Sequence, residues 1–239
     1  KDRVKINIVN SPDKDKLRTL ANLLACLGDE STIVFLNYRD SVERTADFLR
    51  SEGFSLTAYH GGLDQSQREE AIYRFANGSA NILISTNLGS RGLDIPNVRN
   101  IVHYHLPETE EDYTHRVGRT ARWDKTGKTY FILSEGETLP DYVDATTCDF
   151  EFPENLPAPA KSRMTTLYIG KGKKDKVSKG DILGFLCKTG GLKGAEIGRI
   201  DVYDYYAYAA VDNRKLNFVL KNVQGCKIKG KRTKVEEMR

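Results

Sequence analysis

A proline-rich segment near residue 155 is the feature that most constrains how this chain can fold. Three of its seven prolines, Pro153, Pro157 and Pro159, lie between residues 152 and 160. Proline has no amide hydrogen and restricts the residue before it, so this segment can be neither the interior of a helix nor a central strand. We therefore predict an extended linker over residues 151–163, between domains at 1–150 and 164–239.

The distribution of charge changes at the same place. Residues 161–239 carry 19 Lys and Arg against 8 Asp and Glu, a net charge of +11, whereas residues 1–160 have a net charge of −7. A basic module of this kind is suited to a polyanion such as a nucleic acid. The sequence thus predicts two modules, of which the second faces the polyanion.

Composition excludes several classes of protein. With 39% hydrophobic residues, the chain can bury a core. No apolar run approaches the ~20 residues of a membrane helix, and residues 1–4 do not resemble a signal peptide, so we expect a cytoplasmic protein that does not bind membranes. The four cysteines form no CxxC pair and the four histidines have no metal spacing beside them. We therefore expect reduced thiols and no metal site.

The first module alternates short strand patterns with helical ones. Strands are predicted at 4–9, 32–36, 56–59, 81–85, 100–104 and 129–133. A helix start is predicted at Ser11-Pro12, with five leucines between 17 and 27 on one face, and a capping box at Asp40–Glu43. This alternation predicts an α/β fold with a mostly parallel sheet covered by helices, and ligands beyond the carboxyl ends of the strands.

The second module has a different order of elements. A strand is predicted at 166–170, a helix at 179–189, strands at 197–202 and 206–211, a helix at 216–223 and a strand at 227–235. This βαββαβ order is the split βαβ plan of small α+β domains.

Candidate chemistry lies in four post-strand segments of the first module, at 33–39, 60–68, 85–94 and 115–122. Arg116, Arg119 and Arg122 recur every three residues, so on a helix they would share one side and accept an anion such as phosphate, although a solvated basic face has the same pattern. Asp94 after Gly92 could accept ribose hydroxyls, and Thr86 could donate its hydroxyl and amide to a phosphate, unless this is a plain loop with a capping aspartate. In residues 60–68, Gly61 and Gly62 allow another backbone to approach closely, and Gln65 and Arg68 share one face of the next helix, unless this is an ordinary helix start.

Together, these segments resemble the second RecA-like domain of the DEAD-box RNA helicases. The resemblance runs from about Lys5 to Leu133 and depends on HRVGRTAR at 115–122 following STNLGSRGLD at 85–94. It implies that Asp94 and Gly92 contact ATP, that Arg119 and Arg122 are arginine fingers, and that His115 couples the nucleotide to closure on RNA. It also implies a set of contacts to the RNA backbone, namely Asn37, Arg39, Gly61, Gln65, Arg68 and Thr86.

The sequence departs from this family in small ways and lacks two of its motifs. Asn87 stands where an acidic residue is common, and Ala121 where glycine is usual. The chain contains neither GxxxxGK[ST] nor a DEAD sequence. In this family both belong to a preceding RecA-like domain, which would supply most ligands for ATP and Mg²⁺. We therefore expect part of a two-lobed ATPase that is inactive alone.

The second module has two candidate surfaces for RNA. Tyr168, Tyr206 and Tyr208 would lie on the two central strands, as do the base-stacking aromatics of the RNA-recognition motif, unless they only pack the sheet. The alternative is a basic surface, for which the leading candidates are Lys171, Lys173, Lys174, Lys229, Lys231 and Arg232.

Residues from about Met164 to Met238 resemble the RNA-binding domain of DbpA-type helicases. This resemblance implies binding of structured RNA, specifically large-subunit ribosomal RNA during ribosome assembly, with the tail raising the local concentration of the motor. A DNA helicase or nucleosome remodeller is less favoured, because HRVGRTAR and the RRM-like tail indicate RNA. A non-enzymatic RNA-binding adaptor remains the alternative.

Overall fold

The computed structural model describes residues 5–87, 95, 98–118 and 127–238. The chain divides into two compact units, Lys1–Ala76 with Asn81–Lys161, and Asn77–Ala80 with Ser162–Arg239. In the described part of the chain, no helix has the length and apolar character needed to cross a bilayer.

The first unit is a parallel sheet with helices on both faces. The described strands follow the order β3-β4-β2-β5-β6-β1-β7. The strands are β1 (Lys5–Ser11), β2 (Thr32–Phe35), β3 (Leu56–Tyr59), β4 (Ile82–Ser85), β5 (Asn100–His103), β6 (Lys128–Ser134) and β7 (Thr146–Asp149). The helices are α1 (Leu17–Leu27), α2 (Arg39–Ser51), α3 (Gln65–Ala76) and α4 (Glu110–Val117). The predicted α/β class is confirmed.

Burial explains why this sheet forms. Every residue of β2, β4 and β5 is buried, as expected for central parallel strands covered on both faces. The predicted leucine stripe of α1 packs into the larger core cluster, and a second cluster around Phe35 and Ile101 covers the opposite face.

Two local predictions for this unit are wrong, and one strand was not predicted. The helix start at Ser11-Pro12 is wrong, because β1 continues to Ser11, paired with Ser134, and α1 begins at Leu17. The capping box at Asp40–Glu43 is also wrong, because α2 begins at Arg39 and its N-terminus has no side-chain cap. Strand β7 was not predicted, because its sequence Thr-Thr-Cys-Asp is mostly exposed at the sheet edge and has no apolar pattern.

The second unit is a small antiparallel sheet packed against two helices. Its strands are β8 (Met164–Ile169), β9 (Ile197–Val202), β10 (Ala207–Asp212) and β13 (Val235–Glu237), in the order β13-β8-β10-β9. A separate hairpin joins β11 (Lys227–Ile228) and β12 (Lys231–Arg232). The helices are α5 (Lys179–Lys188) and α6 (Leu216–Val223), with 3₁₀ turns at Lys173–Asp175, Gly194–Glu196 and Asn213–Lys215.

The structure corrects the predicted strand at 227–235. Lys229 and Gly230 have φ angles of 49° and 77°, in the left-handed region, so the chain turns there and forms the β11–β12 hairpin. The basic residues of this segment therefore follow a hairpin instead of one strand. The core lies between the helices and one sheet face, where Leu167 and Ala209 are fully buried.

Candidate functional site

The family resemblance assigns five residues to the nucleotide, of which the structure describes one. Gly92, Asp94, Arg119 and Arg122 lie outside the described residues, so their roles stay predictions. His115 is described, and it lies exposed in the last turn of α4. The described part of the chain contains no cluster of three or more His, Cys, Asp or Glu residues arranged for a metal ion.

Arg116, the neighbour of His115, is buried inside the first unit with 1% relative exposure. Its Nη2 donates to Asn37 Oδ1 at 2.6 Å, its Nη1 to the His105 carbonyl at 2.8 Å, and its Nε to Asn87 Oδ1 at 2.7 Å. The prediction that Arg116 joins Arg119 and Arg122 around an anion is wrong, because its donors are used within the protein.

These contacts join four segments at the carboxyl edge of the sheet. Asn37 follows β2, Asn87 follows β4, His105 follows β5, and Arg116 belongs to α4. We call these four residues, with His103, the Arg116 network. Asn37 also donates its backbone N–H to His105 Nδ1 at 2.9 Å and its side-chain amide to the Leu106 carbonyl at 3.0 Å. The network thus cross-links the loops that carry candidate contacts.

The Arg116 network is positively charged and has no direct carboxylate partner within the described residues. Burial lowers the pKa of Arg116 to about 10, and the nearby charges of Asp112, Tyr142 and Glu108 partly offset this effect, so the guanidinium stays charged at neutral pH. The guanidinium is stabilised by neutral groups. These are the side-chain oxygens of Asn37 and Asn87, the His105 carbonyl, and His103 Nδ1 at 3.3 Å.

Both histidines of the network are held neutral. Burial, followed by the charges of Lys16 and Arg116, lowers the pKa of His105 to about 4. Burial and then Arg116 lower the pKa of His103 well below its ordinary value. His103 stacks on Phe131 with ring centroids 4.1 Å apart, and its Nε2 is buried with no hydrogen-bond partner among the described residues.

Lys16 was not predicted as part of this site. It is buried with 4% relative exposure, and its Nζ donates to the carbonyls of Tyr104 at 2.9 Å and Ile132 at 2.7 Å. It also forms an ion pair with Glu137 at 2.6 Å. A lysine in a sequence usually indicates a solvated surface, so no local signal distinguishes Lys16 from its neighbours.

The loops after β2 and β3 bring two predicted RNA contacts together. A Cβ on Gly61 would lie 2.8 Å from Arg39 Nη2, so glycine allows the exposed Arg39 side chain to lie against this backbone. Next to them, the buried His60 contacts Glu43 through Nε2 at 2.5 Å and accepts the N–H of Gly62 at 3.0 Å. His60 and Glu43 thus support this loop, which the sequence did not indicate.

The other predicted RNA contacts have different surroundings. Gln65 is exposed at the start of α3 and donates to Glu69 at 2.9 Å, and Arg68 is half-buried one turn later. Thr86 is half-buried, and its N–H donates to the Tyr59 carbonyl at 3.2 Å. The prediction that this amide is available to a phosphate is therefore wrong, because the sheet uses it.

In the second unit, the three predicted tyrosines lie on one sheet face. Tyr168 and Tyr208 are partners across β8 and β10, with ring centroids 6.3 Å apart, and Tyr206 stacks on Tyr168 at 5.9 Å. Carboxylates flank this face, because Asp201 is the partner of Tyr208 on β9 and Glu236 is the partner of Tyr168 on β13. Asp201 pairs with Arg199 at 2.8 Å and Glu236 with Lys234 at 3.5 Å, so these carboxylates are balanced by basic side chains and the face has no excess of positive charge from them.

The two lysine-rich runs of the second unit meet. Lys229 Nζ donates to the Lys176 carbonyl at 2.9 Å and forms an ion pair with Asp181 at 3.2 Å, so the β11–β12 hairpin lies against the loop before α5. A cavity of about 540 Å³ in this region is lined in part by Lys173, Lys176 and Lys179. We define the lysine surface by its basic residues, which are Lys171, Lys173, Lys174, Lys176, Lys179, Lys229, Lys231 and Arg232.

Comparison with known proteins supports both halves of the sequence interpretation. Residues 15–124 match the helicase conserved C-terminal domain, and residues 166–237 match the DbpA RNA binding domain. The chain is 35% identical over 228 residues to the ATP-dependent RNA helicase DbpA of Escherichia coli, covering 93% of this chain and 50% of that protein. It is 26% identical over 258 residues to DbpA of Bacillus subtilis, covering 96% and 54%.

The fold of the first unit also has solved counterparts. The E. coli DEAD-box protein SrmB, solved with the regulator of ribonuclease activity A, superposes with a TM-score of 0.58 at 27% identity, covering 67% of this chain and all of that one. The C-terminal domain of the DEAD-box protein Dbp5 superposes with a TM-score of 0.51 at 30% identity, covering 56% and 79%. The chain spans about half the length of the curated relatives that it matches.

Proposed function

Because the chain belongs to the DbpA-type DEAD-box RNA helicases, we propose that it is part of an ATP-dependent RNA helicase that remodels structured RNA. In this proposal the first unit forms one side of an ATP site shared with another RecA-like domain of the same polypeptide. The second unit binds a particular RNA and keeps the motor near its substrate. We propose ribosomal RNA of the large subunit as that RNA, and the cytoplasm as the place of action.

The residues assigned to the nucleotide suit its chemistry. Two arginines match the oxygens of a triphosphate, and a carboxylate accepts hydrogen bonds from ribose hydroxyls. In the proposed site Arg119 and Arg122 hold the γ-phosphate oxygens, Asp94 orients the ribose next to Gly92, and His115 couples the nucleotide to closure on RNA. Bound ATP supplies the chemical energy for remodelling, and its Mg²⁺ would be held mainly by the other domain, because this chain has no DEAD sequence.

The observation that carries the proposal is the Arg116 network. The family resemblance assigns His115, Arg119 and Arg122 to the nucleotide, and assigns Asn37 and Thr86 to RNA. Arg116 hydrogen-bonds Asn37 and the neighbour of Thr86 from the helix turn that contains His115. The two groups of predicted contacts are thus joined by hydrogen bonds through one buried arginine, which suits a domain that couples nucleotide to RNA.

The nucleotide assignment is tested in the polypeptide that joins this chain to a phosphate-loop domain. Arg119→Ala and Arg122→Ala should each reduce RNA-stimulated ATP turnover about 100-fold or more, because a donor to charge that develops in the transition state is lost. RNA binding should be largely retained. Arg99→Ala is the matched control, since Arg99 precedes β5 at the opposite edge of the sheet. Unchanged turnover in both variants would refute the arginine-finger assignment.

A second test uses the chain of 239 residues itself. We expect it to hydrolyse no ATP above background, with or without RNA, because it lacks the motif that holds the phosphates. Strong RNA-stimulated hydrolysis by this chain would contradict the shared-site proposal. If the natural polypeptide contains no phosphate-loop domain, the non-enzymatic RNA-binding adaptor becomes the better description.

The RNA assignment is tested by crosslinking and sequencing of RNA bound to the intact protein. The net charge of +11 in residues 161–239 and the exposed lysine surface support contact with phosphates, which gives affinity without base identity. We expect crosslinks concentrated at one structured region of large-subunit ribosomal RNA. Crosslinks spread evenly over cellular RNA would refute the specific target.

A further inference from the structure

The turn between β9 and β10 is held against the lysine-rich loop that follows β8. The N–H of Lys173 donates to the Tyr203 carbonyl at 2.8 Å, and the N–H of Lys174 donates to the Asp204 carbonyl at 2.8 Å. A Cβ on Gly172 would lie 2.2 Å from the Tyr203 carbonyl oxygen, so this close approach requires glycine. The lysines of the loop and the tyrosines of the turn are therefore presented at one end of the unit.

The tyrosines of this turn extend the aromatic cluster beyond the sheet. Tyr203 stacks on Tyr206 with ring centroids 4.9 Å apart and an interplanar angle of 26°. Tyr205 is 68% exposed, more than any other large hydrophobic side chain in the described part of the chain. No ring among the described residues packs against Tyr205. Tyr203, in the same turn, is 37% exposed, and exposed aromatic side chains that lie together indicate an interaction site, whereas isolated ones do not.

The charges around the turn select the kind of ligand. Lys173 and Lys174 are exposed beside the turn, which favours a polyanion. The Asp204 carboxylate is exposed within the turn itself, next to Tyr205, and it disfavours a phosphate at the tip. A suitable ligand therefore has phosphates near the two lysines and an uncharged group near Asp204. A nucleic acid with an unpaired base between two phosphates has this arrangement.

We propose that Tyr205, with Tyr203 beside it, is a stacking site for an unpaired RNA base whose flanking phosphates contact Lys173 and Lys174. The proposal rests on the proposed RNA-binding function and adds the part of the RNA that is recognised. It differs from the sequence prediction, which assigned stacking to Tyr168, Tyr206 and Tyr208 on the sheet. The exposed face of an aromatic ring stacks with any base, so the site selects single-stranded over paired RNA.

The test compares two RNA probes with the full chain by fluorescence anisotropy at low salt. One is a hairpin with an eight-nucleotide loop, and the other is a blunt duplex with the same number of phosphates. Tyr205→Ala should bind the hairpin about 10-fold or more weakly, as expected for the loss of one base stack, and should bind the duplex as the unchanged chain does. Tyr205→Phe should bind the hairpin normally, because it keeps the aromatic face.

Phe218→Ala is the matched control, because Phe218 is an exposed aromatic residue of the same unit, on α6, with 46% relative exposure. It should leave hairpin binding unchanged. If Tyr205→Ala binds the hairpin as well as the unchanged chain, the stacking site is refuted while RNA binding stands. If the unchanged chain binds neither probe, the proposed RNA-binding function is refuted together with the stacking site.

Discussion

The buried cations of the first unit and the lysine surface of the second use positive charge in opposite ways. In the first unit, Arg116 and Lys16 are buried and their donors reach backbone carbonyls and amide oxygens. In the second unit, Lys173, Lys174 and Lys231 are exposed and their charge is available to a partner. A buried cation costs solvation energy, so it persists only where hydrogen bonds replace water, whereas an exposed cation contributes little to folding. The buried cations thus hold the loops of the first unit together, whereas the exposed cations are available to bind a polyanion.

The largest expected effect comes from removing the buried guanidinium. Arg116→Met should lower the free energy of unfolding of the first unit by about 3 kcal/mol, because the His105 carbonyl and Asn37 Oδ1 lose donors in a buried environment. Urea unfolding followed by hydrogen exchange of the backbone amides of β5 and α4 reports on this unit. Arg232→Met, at an exposed position of the second unit, should change stability by less than about 0.5 kcal/mol. Equal effects of the two substitutions would remove the contrast between the units.

The next effect should fall on binding and leave stability unchanged. The triple substitution Lys173→Gln, Lys174→Gln and Lys231→Gln should weaken RNA binding and reduce the slope of log affinity against log salt concentration by about 2 to 3, one phosphate contact per lysine. The melting temperature should not change, because all three side chains are exposed.

The matched control for this triple variant removes the same charge elsewhere in the second unit. Lys188, Lys193 and Lys221 lie near the end of α5 and on α6, away from the loop before α5. Their substitution by glutamine should leave most of the salt slope in place. If both triple variants lose affinity equally, total charge governs binding and the lysine surface has no special role.

The contrast also explains what could be predicted from the sequence. The leucine stripe of α1 and the buried strands follow from periodicity, because apolar burial repeats with the geometry of each element. The burial of Arg116 could not be predicted, because its partners Asn37, Asn87 and His105 are distant in sequence and meet only through the order of strands. Lys16 escaped prediction for the same reason.

The second unit shows where local sequence misleads. The basic residues from 227 to 235 fit an alternating strand, yet Lys229 and Gly230 take left-handed backbone angles and form a hairpin. Lysine rarely adopts this conformation, so no turn was indicated at Lys229. The hairpin is held by a contact of Lys229 with the Lys176 carbonyl, a residue far away in the sequence.

A smaller effect should appear on acidification. The pKa of His105 is about 4 in the folded chain, whereas an unfolded histidine has a pKa of about 6.5. The unfolded chain therefore takes up the proton first, and His105 should lower stability as the pH falls from about 6.5 towards 4. Because the ring is only half-buried, solvent screens part of the shift, and we expect a loss of about 1 kcal/mol at pH 5.

Substitution of this histidine isolates its contribution. His105→Gln keeps an acceptor for the Asn37 N–H but cannot take up a proton. Its stability should fall less between pH 7 and pH 5 than that of the unchanged chain, as measured by urea unfolding at each pH. His103, which also has a lowered pKa, provides a background common to both proteins. Identical pH dependence would show that His105 titrates alike in the folded and unfolded states.

The smallest expected effect concerns the missing counter-charge. Asn87→Asp would place a carboxylate where Asn87 Oδ1 now accepts from Arg116 Nε at 2.7 Å, in an exposed position where aspartate loses little solvation. A charge-assisted hydrogen bond is stronger than a neutral one, so we expect a gain of about 1 kcal/mol in the stability of the first unit at low salt. The gain should disappear in the background of Arg116→Met, because the new carboxylate then has no guanidinium to contact. An equal gain in both backgrounds would mean that the aspartate acts on a group other than Arg116. The neutral partners of Arg116 would then be sufficient to stabilise its charge.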